Sequence, residues 1–184
     1  QKKISLETIE IFAPIAERIG LQNIKNELQD ICFKILHPDE HEMIISRVED
    51  MRKDYNSKDV INGIVEEFAE LFAKKALDVL VVGREKTPYS IWRKMHSKNV
   101  EFEELSDIIA FRVIAEDEES CYRALCLLHL EYRAVPGHLV DYVSTPKLNN
   151  YQSIHTAIMG PNNRLVEVQI RSSRMHDEAQ FGLA

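Results

Sequence analysis

Two acidic side chains in this sequence of 184 residues could build a metal site. In the apolar run 164–171, strand alternation places Glu167, Gln169 and Arg171 on the face opposite the aliphatic residues. Asp107 precedes a second apolar run, which puts it at a strand edge. Two carboxylates on neighbouring strands, near cations, could hold Mg²⁺ against phosphate groups. The alternative is a solvated strand face, because the sequence alone does not bring the two carboxylates together.

A short basic stretch is prominent because the whole chain is acidic, with a net charge of −7. Residues 84–98 hold five Lys and Arg against one Glu. Arg84 and Lys86 share parity on a strand expected to end near residue 86, and Ser90 and Lys94 share one face of the following helix. Together with the helix N-terminus, these groups suit a polyphosphate. The alternative is a solvated amphipathic helix with charged neighbours.

A third cluster surrounds a predicted turn. Tyr151 could stack on a base, Asn149 could read its edge, and Lys147 and His155 could contact its phosphates. The alternative is an ordinary loop with a tyrosine anchor and a hydrogen-bonded histidine.

Composition excludes several classes of protein. Hydrophobic residues make up 45% and charged residues 29%, which is typical of globular proteins. No apolar run approaches the roughly 20 residues that span a bilayer, so we expect a cytoplasmic protein without membrane contact. The three cysteines show no metal or redox spacing. Neither a P-loop nor a Rossmann glycine motif is present.

The elements that must position these residues fall into two regions. The first 77 residues predict a helical lobe, with an apolar stripe between Ile24 and Ile35, a helix from Pro38, and Ser57 as the N-cap of a third helix. Residues 78–184 predict an α+β domain, a mixed sheet of about five strands with flanking helices. The expected strands are Leu77–Val82 (ended by Gly83), Ile108–Ala115, Leu139–Val143, Ser153–Met159 and Arg164–Arg171. The expected helices are Tyr89–Ser97, Glu118–Glu131 and Ser172–Phe181.

Several segments together resemble the synthetase domain of the RelA/SpoT family, the (p)ppGpp synthetases. They are GREKTPYSIWRKM (83–95), DIIAFRV (107–113), PKLNNYQSIHT (146–156), EVQIR (167–171) and MH (175–176). Residues 11–18 and 36–38 also resemble the helices that lead into this domain in long members. The resemblance implies a nucleotidyltransferase-like fold. It also implies a transferase of the stringent response that moves the β,γ-pyrophosphate of ATP to the 3′-hydroxyl of GDP or GTP.

The resemblance also implies a role for each site residue. Asp107 and Glu167 would hold Mg²⁺, and Glu167 would help to deprotonate the attacking hydroxyl; Gln169 joins them as a candidate catalytic residue. The residues expected around ATP are Arg84, Lys86, Ser90 and Lys94 at the phosphates, and Arg84 with Arg112 at adenine. Those expected around the acceptor are Tyr151 and Asn149 at guanine, and Lys147 and His155 at the phosphates. Strict alternation places Asp107 and Arg112 on opposite strand faces, so the Arg112 role needs a bend or an earlier strand start.

The sequence departs from the family on the acceptor side. Bifunctional members carry Arg-x-Lys-Asp where this chain has His138, Leu139, Val140 and Asp141, and Asn150 replaces a usual glycine. We therefore expect reduced or altered use of the acceptor. A degenerate nucleotide-binding regulatory module is the main alternative, and an RNA 3′ end is another conceivable acceptor, although the net charge of −7 disfavours stable RNA binding.

The resemblance covers nearly the whole chain, and we expect it to be a fragment of a longer protein. The hydrolase domain that precedes the synthetase in long members is not in this sequence. Ribosome or tRNA contacts would come only through regions outside it. The oligomeric state and the choice between GDP and GTP are left open.

Overall fold

The helices predicted at the start of the chain are present in the computed structural model, which describes residues 1–54, 57–102, 105, 108–160 and 164–181. The chain forms two units, one of residues 1–57, 86–105 and 178–184 and the other of residues 58–85 and 106–177. The predicted division between residues 77 and 78 stays a prediction.

The first unit is helical in its described part. Its helices are α1 (Lys2–Glu7), a π-helical turn (Thr8–Phe12), α2 (Ala13–Arg18), α3 (Gln22–Leu36), α4 (Pro38–Asp54) and α6 (Pro88–Lys98). Proline supplies the first residue of both α4 and α6, because its fixed φ suits a first helical position that needs no N–H donor. Thr87 caps α6, and Asn99 ends that helix in the left-handed conformation with φ 51°.

The predicted apolar stripe of α3 is wrong at two positions, although the helix itself is confirmed. Ile24 is 47% exposed and Ile31 is 53% exposed. Cys32, which also belongs to the predicted stripe, is buried, and the buried face further carries Lys25, Gln29 and Phe33. Lys25 tolerates burial because its ammonium donates to Glu17 on α2 at 2.7 Å while its aliphatic stem packs. Contact with α2 thus decides which face of α3 turns inward.

The second unit is a mixed sheet with helices, which confirms the predicted α+β fold. Its helices are α5 (Ser57–Lys74), α7 (Glu118–Glu131) and the start of α8 (Ser173–Phe181). Its described strands are β1 (Val79–Glu85), β2 (Ile109–Ala115), β3 (Arg133–Ala134), β4 (Val140–Asp141), β5 (Ile154–Gly160) and β6 (Arg164–Ser172). The strand order is β1-β2-β6-β5-β3, with β4 also paired to β5; the β2–β6 pair is parallel and the others are antiparallel.

One face of this sheet forms the hydrophobic core. Phe111 and Val113 from β2 and Val168 and Ile170 from β6 are almost fully buried there. They join apolar residues of α5 and α7, such as Phe68, in one cluster. Burying each such side chain stabilises the fold by about 1.5–3 kcal/mol, so this face fixes the register of the strands.

Gly83 does not end β1, contrary to the prediction. The strand begins two residues later than predicted and continues to Glu85. A Cβ at position 83 would lie 2.4 Å from Cγ2 of Ile61 on α5. The glycine is therefore needed because a helix passes close to the strand, and not because the chain turns there.

The region between α7 and β5 also differs from the prediction. The expected strand Leu139–Val143 is reduced to the two residues of β4, and β3 was not predicted. The Asp141 carboxylate ends β4 by accepting the backbone N–H groups of Val143 and Ser144 at 2.8 and 3.0 Å. It also accepts the hydroxyl of Tyr122 on α7 at 2.9 Å. Asp141 thus anchors the segment that carries Val140.

Candidate functional site

The second face of the sheet collects many of the polar residues predicted for the site. Arg84 pairs with Ala110 and Ala110 pairs with Glu167, so Arg84 and Glu167 lie on one face. In the next row Arg112 pairs with Gln169, and Gln169 pairs with His155. Successive rows are about 7 Å apart along a strand. We call this the polar face and define it by Arg84, Arg112, His155, Glu167, Gln169 and Arg171.

Arg112 is a half-buried cation on this face. Burial is the main cause that lowers the pKa of its guanidinium, and the nearby charge of Arg84 acts in the same direction. Its buried Nε has no hydrogen-bond partner in the described part of the chain. A buried donor without a partner is costly, and an anionic ligand would satisfy it.

Arg171 was not among the residues predicted for the site. It is buried on β6, two residues beyond Gln169, and its Nη2 lies 2.8 Å from Nδ1 of His176. Because a guanidinium only donates, Nδ1 of His176 accepts and the ring proton of the neutral histidine sits on Nε2. Burial, followed by the charges of Arg171 and Arg112, lowers the pKa of His176. Alternation from Glu167 and Gln169 was the sequence signal that placed Arg171 on this face.

The loop before β5 forms a tight turn. Asn150 donates its N–H to the carbonyl of Lys147 at 2.8 Å and adopts φ 58°. Asparagine is one of the few non-glycine residues that tolerate this left-handed conformation, so the replacement of the family's usual glycine keeps the turn. Asn149 accepts the N–H of Tyr151 at 3.3 Å, which ties the predicted base-reading amide to its own loop.

This loop places a cation among aromatic rings. Nζ of Lys147 lies 4.7 Å from the ring centre of Tyr142 and 5.1 Å from that of Tyr151. The Tyr151 hydroxyl lies 3.0 Å from Nε2 of His155. Three of the four predicted acceptor residues therefore form one cluster. Tyr142 also belongs to it, and sequence reasoning missed this residue although it shares the parity of Val140.

His155 is a neutral member of this cluster at physiological pH. Burial, followed by the charges of Lys147 and Arg171, lowers its pKa to about 4. A neutral imidazole donates and accepts hydrogen bonds but brings no positive charge to a phosphate. Val140 on β4 pairs with His155, and its side chain is 41% exposed.

The predicted ATP-phosphate residues of α6 belong to the first unit. Thr87 caps the helix, and its hydroxyl lies 3.0 Å from that of Ser90. Asp30 on α3 accepts the N–H of Tyr89 at 2.9 Å, so a carboxylate of the chain already lies at this helix N-terminus. Burial raises the pKa of Asp30, against the lowering effect of that hydrogen bond.

Some predicted residues are not brought together by the described structure. Asp107 lies outside the described residues. Lys86 follows the last residue of β1, so its predicted shared parity with Arg84 does not apply. Lys86, Ser90 and Lys94 belong to the first unit and Arg84 to the second. Their joint role at ATP stays a prediction.

The chemistry of the donor set is compatible with Mg²⁺. The carboxylate of Glu167 is a hard oxygen donor on the polar face, and Asp107 would supply a second one. The described residues contain no cluster of three or more His, Cys, Asp or Glu side chains able to hold a metal. Magnesium is usually held by one or two carboxylates together with substrate phosphates, so the residues fit.

No described helix is both long enough and apolar enough to cross a membrane.

Comparison with known proteins gives consistent matches. Residues 83–184 match a family model described as a region found in RelA / SpoT proteins. The chain is 40% identical over 182 residues to the GTP pyrophosphokinase rsh of Brucella melitensis, covering 99% of this chain and 24% of that protein. It is 43% identical over 183 residues to the GTP pyrophosphokinase of Escherichia coli, covering 97% of this chain and 24% of that protein. The chain thus spans about a quarter of the length of these curated relatives.

Solved structures share the fold. A GTP pyrophosphokinase family protein from Streptococcus pneumoniae superposes with a TM-score of 0.58 at 21% identity, covering 72% of this chain and 73% of that chain. The small alarmone synthetase 1 of Bacillus subtilis, bound to its product pppGpp, gives 0.57 at 19% identity, covering 71% of this chain and 76% of that chain. At these identities the likeness concerns the fold, and it agrees with the predicted α+β class.

Proposed function

Since the chain belongs to the RelA/SpoT family, we propose that it is a GTP pyrophosphokinase, which transfers pyrophosphate from ATP to the 3′-hydroxyl of GDP or GTP. The observation that carries the proposal is the polar face. This face sets the guanidiniums of Arg84 and Arg112 on the same side of one sheet as the carboxylate of Glu167 and the imidazole of His155. Polyphosphate transfer needs cations, a base and an aromatic platform, and this unit contains all three.

Ligands of structural relatives support nucleotide substrates for the same fold. One structure of the small alarmone synthetase 1 of Bacillus subtilis holds its product pppGpp, and another holds AMPCPP. We propose ATP and a guanine nucleotide as the substrates of this chain by the same logic.

On the donor side, Arg84 and Arg112 would hold adenine between guanidinium planes, which stack well on aromatic rings. Lys86, Ser90 and Lys94 would bind the ATP phosphates through two cations and a hydroxyl. Asp30 already accepts a hydrogen bond at the N-terminus of α6. This helix end therefore attracts a phosphate less strongly than a terminus without a carboxylate would. The cations and not the helix dipole would then dominate phosphate binding.

On the acceptor side, Tyr151 would stack on guanine and Asn149 would read its edge. Lys147 would meet the acceptor phosphates as a charged group. His155 is neutral, so it would act by hydrogen bonding, through a phosphate oxygen or through the Tyr151 hydroxyl that it already contacts.

For the transfer step, Glu167 would take the proton of the 3′-hydroxyl while the hydroxyl oxygen forms a bond to the β-phosphorus of ATP. The bond from that phosphorus to the oxygen bridging to the α-phosphate breaks, and AMP leaves. Gln169 would orient the reacting groups. Glu167 and Asp107 would hold Mg²⁺, which when bound neutralises phosphate charge and polarises the donor.

A label-transfer assay tests this function. The purified chain is incubated with ATP labelled in the γ-phosphate, Mg²⁺ and either GDP or GTP, and the nucleotides are separated. We expect label in a guanosine tetraphosphate or pentaphosphate with equimolar AMP, and no transfer after chelation of the metal or omission of the acceptor. A chain that binds both nucleotides and forms no such product is instead a degenerate regulatory module, the alternative that Val140 favours.

Position 140 should set the strength of the acceptor interaction. Val140 on β4 pairs with His155 on β5. Bifunctional family members carry lysine at the position of Val140. A charge-assisted contact is worth about 1.5–3 kcal/mol, or roughly tenfold to hundredfold in affinity or rate. We therefore expect Val140→Lys to raise kcat/KM for GDP or GTP by about tenfold or more, with the ATP constants unchanged. Equal constants for the variant and the parent chain would refute this role.

A further inference from the structure

Arg171 is a buried cation that has no role in the proposed function as described above. Only 3% of its surface is exposed, although it lies on the polar face of β6. One bond is accounted for, from Nη2 to Nδ1 of His176 at 2.8 Å. Its Nε is buried and has no hydrogen-bond partner in the described part of the chain.

The surroundings of Arg171 are positive. After burial, the charge of Arg112 is the largest cause that lowers its pKa, to about 10, and Arg84 acts the same way. Tyr151 and Asp177 favour the charged form, but neither effect outweighs burial and the two arginines. In the described part of the chain no carboxylate forms an ion pair with these arginines.

Arg171 also lies between two groups of predicted site residues. On one side its charge interacts with Arg84 and Arg112, the residues expected at ATP. On the other side it acts on His155 and Tyr151, the residues expected at the acceptor. An anion bound near Arg171 would therefore lie close to both halves of the site in this unit.

We propose that Arg171 is a further anion-binding residue, which holds a phosphate group of a nucleoside polyphosphate on the polar face, beside Arg112. The inference rests on the proposed function and deepens it. The guanidiniums of buried Arg171 and half-buried Arg112 repel each other in the absence of ligand. An oxyanion bound to Arg171 weakens this repulsion and removes the cost of its unpartnered Nε. The planar donor fork of arginine suits a phosphate.

A purely structural role is the competing explanation. Arg171 would then serve only to orient His176 and to fill space, and anion binding would be unaffected by its charge. The two explanations predict opposite effects of a neutral substitution on the protein without ligand. Removing a repelling buried charge should leave the melting temperature unchanged or raise it, whereas removing a structural hydrogen bond should lower it.

The test compares Arg171→Met and Arg171→Lys with Arg123→Met as a matched control. Arg123 is an exposed arginine on α7, the helix that packs on the core face. For each protein the melting temperature is measured alone, with ATP and with inorganic triphosphate, and pyrophosphate transfer is assayed. We expect Arg171→Met to weaken binding of both anions by about tenfold to hundredfold with no loss of melting temperature. Arg171→Lys should lose less anion affinity than Arg171→Met. Arg123→Met should have the anion affinity and the melting temperature of the parent chain.

A lower melting temperature of Arg171→Met with unchanged anion affinity would overturn the proposal. So would a His176→Gln variant that loses as much anion affinity as Arg171→Met, because the arginine would then act only through that imidazole. If the methionine variant does not fold, the lysine variant decides: anion affinity equal to that of the parent chain overturns the proposal, and a loss of threefold or more supports it.

The same measurements separate this inference from the proposed function. A chain that transfers pyrophosphate while Arg171→Met keeps the parent affinities and rate would refute the Arg171 role alone. A chain that binds triphosphate through Arg171 but transfers nothing would refute the pyrophosphokinase activity and leave the anion site.

Discussion

The two faces of the sheet in the second unit carry side chains of opposite character. On the core face, Phe111, Val113, Val168 and Ile170 pack against helices. On the polar face, the same strands carry guanidiniums that repel one another, with two Nε atoms that lack partners within the described residues. The core face stabilises the fold through burial of apolar side chains. The polar face carries hydrogen-bond donors whose missing partners a ligand would supply.

This difference separates the quantities that a substitution should change. A change on the core face should alter the free energy of unfolding. A change on the polar face should alter binding or catalysis with little loss of stability, since unfavourable contacts are removed together with favourable ones.

The largest effect is expected at Glu167. Glu167→Gln keeps the shape of the side chain but removes the base and a metal-binding charge, so pyrophosphate transfer should fall by about 10²- to 10⁴-fold. Glu66→Gln, an exposed change on α5, is the matched control and should keep the parent rate. Urea unfolding measured beside the transfer assay should show similar stability for all three proteins. A large loss of stability in Glu167→Gln would break the division between the faces.

His155 should make the stability of the fold depend on pH. Its pKa is about 4 in the folded chain against an ordinary 6.5 in the unfolded chain, so the unfolded state binds the proton more tightly. The resulting loss of stability, about 3 kcal/mol, is absent above pH 6.5 and grows as the pH falls towards 4. Urea unfolding of the parent and His155→Gln at several pH values measures it. The variant should show a flatter dependence between these limits, and parallel curves would contradict the assignment.

Gly83 gives the smallest effect and tests the core face. The added methyl of Gly83→Ala would meet Cγ2 of Ile61 at 2.4 Å, so the variant should lose about 1–3 kcal/mol of stability. Gly63→Ala on α5 is the control, because nothing lies within 4 Å of its new Cβ, and it should gain about 0.5–1 kcal/mol. Thermal or urea unfolding measures the loss of stability in Gly83→Ala and the gain in Gly63→Ala. Equal stabilities for the two variants would mean that α5 moves away from β1 at little cost.

Local signals predicted most of the elements. Helix α7 has the predicted bounds, and α6 begins at Pro88, next to the predicted start at Tyr89. These signals are short-range, namely a proline at the start of the helix and apolar periodicity, and so the sequence shows them directly. The pairing of Glu167, Gln169 and Arg171 on one face followed from strand alternation alone.

The errors came where a distant segment decides a local feature. Gly83 looks like a strand terminator in sequence, but Ile61 on α5 makes it a close-packing position. The inward face of α3 depends on contact with α2, and so an ion-paired Lys25 is buried while Ile31 is exposed. Tyr142 belongs to the loop cluster because the fold brings Lys147 and Tyr151 next to its ring.

The sequence by itself determined the types of the elements, the family and the side chains able to bind a polyphosphate, because these depend on residue identity and on spacing along the chain. Only the tertiary structure decided that Arg171 is buried beside Arg112, that His155 is neutral and that Asp30 lies at the N-terminus of α6. Burial and the proximity of charges are set by segments far apart in the chain, and the free energies that follow from them have no short-range signature.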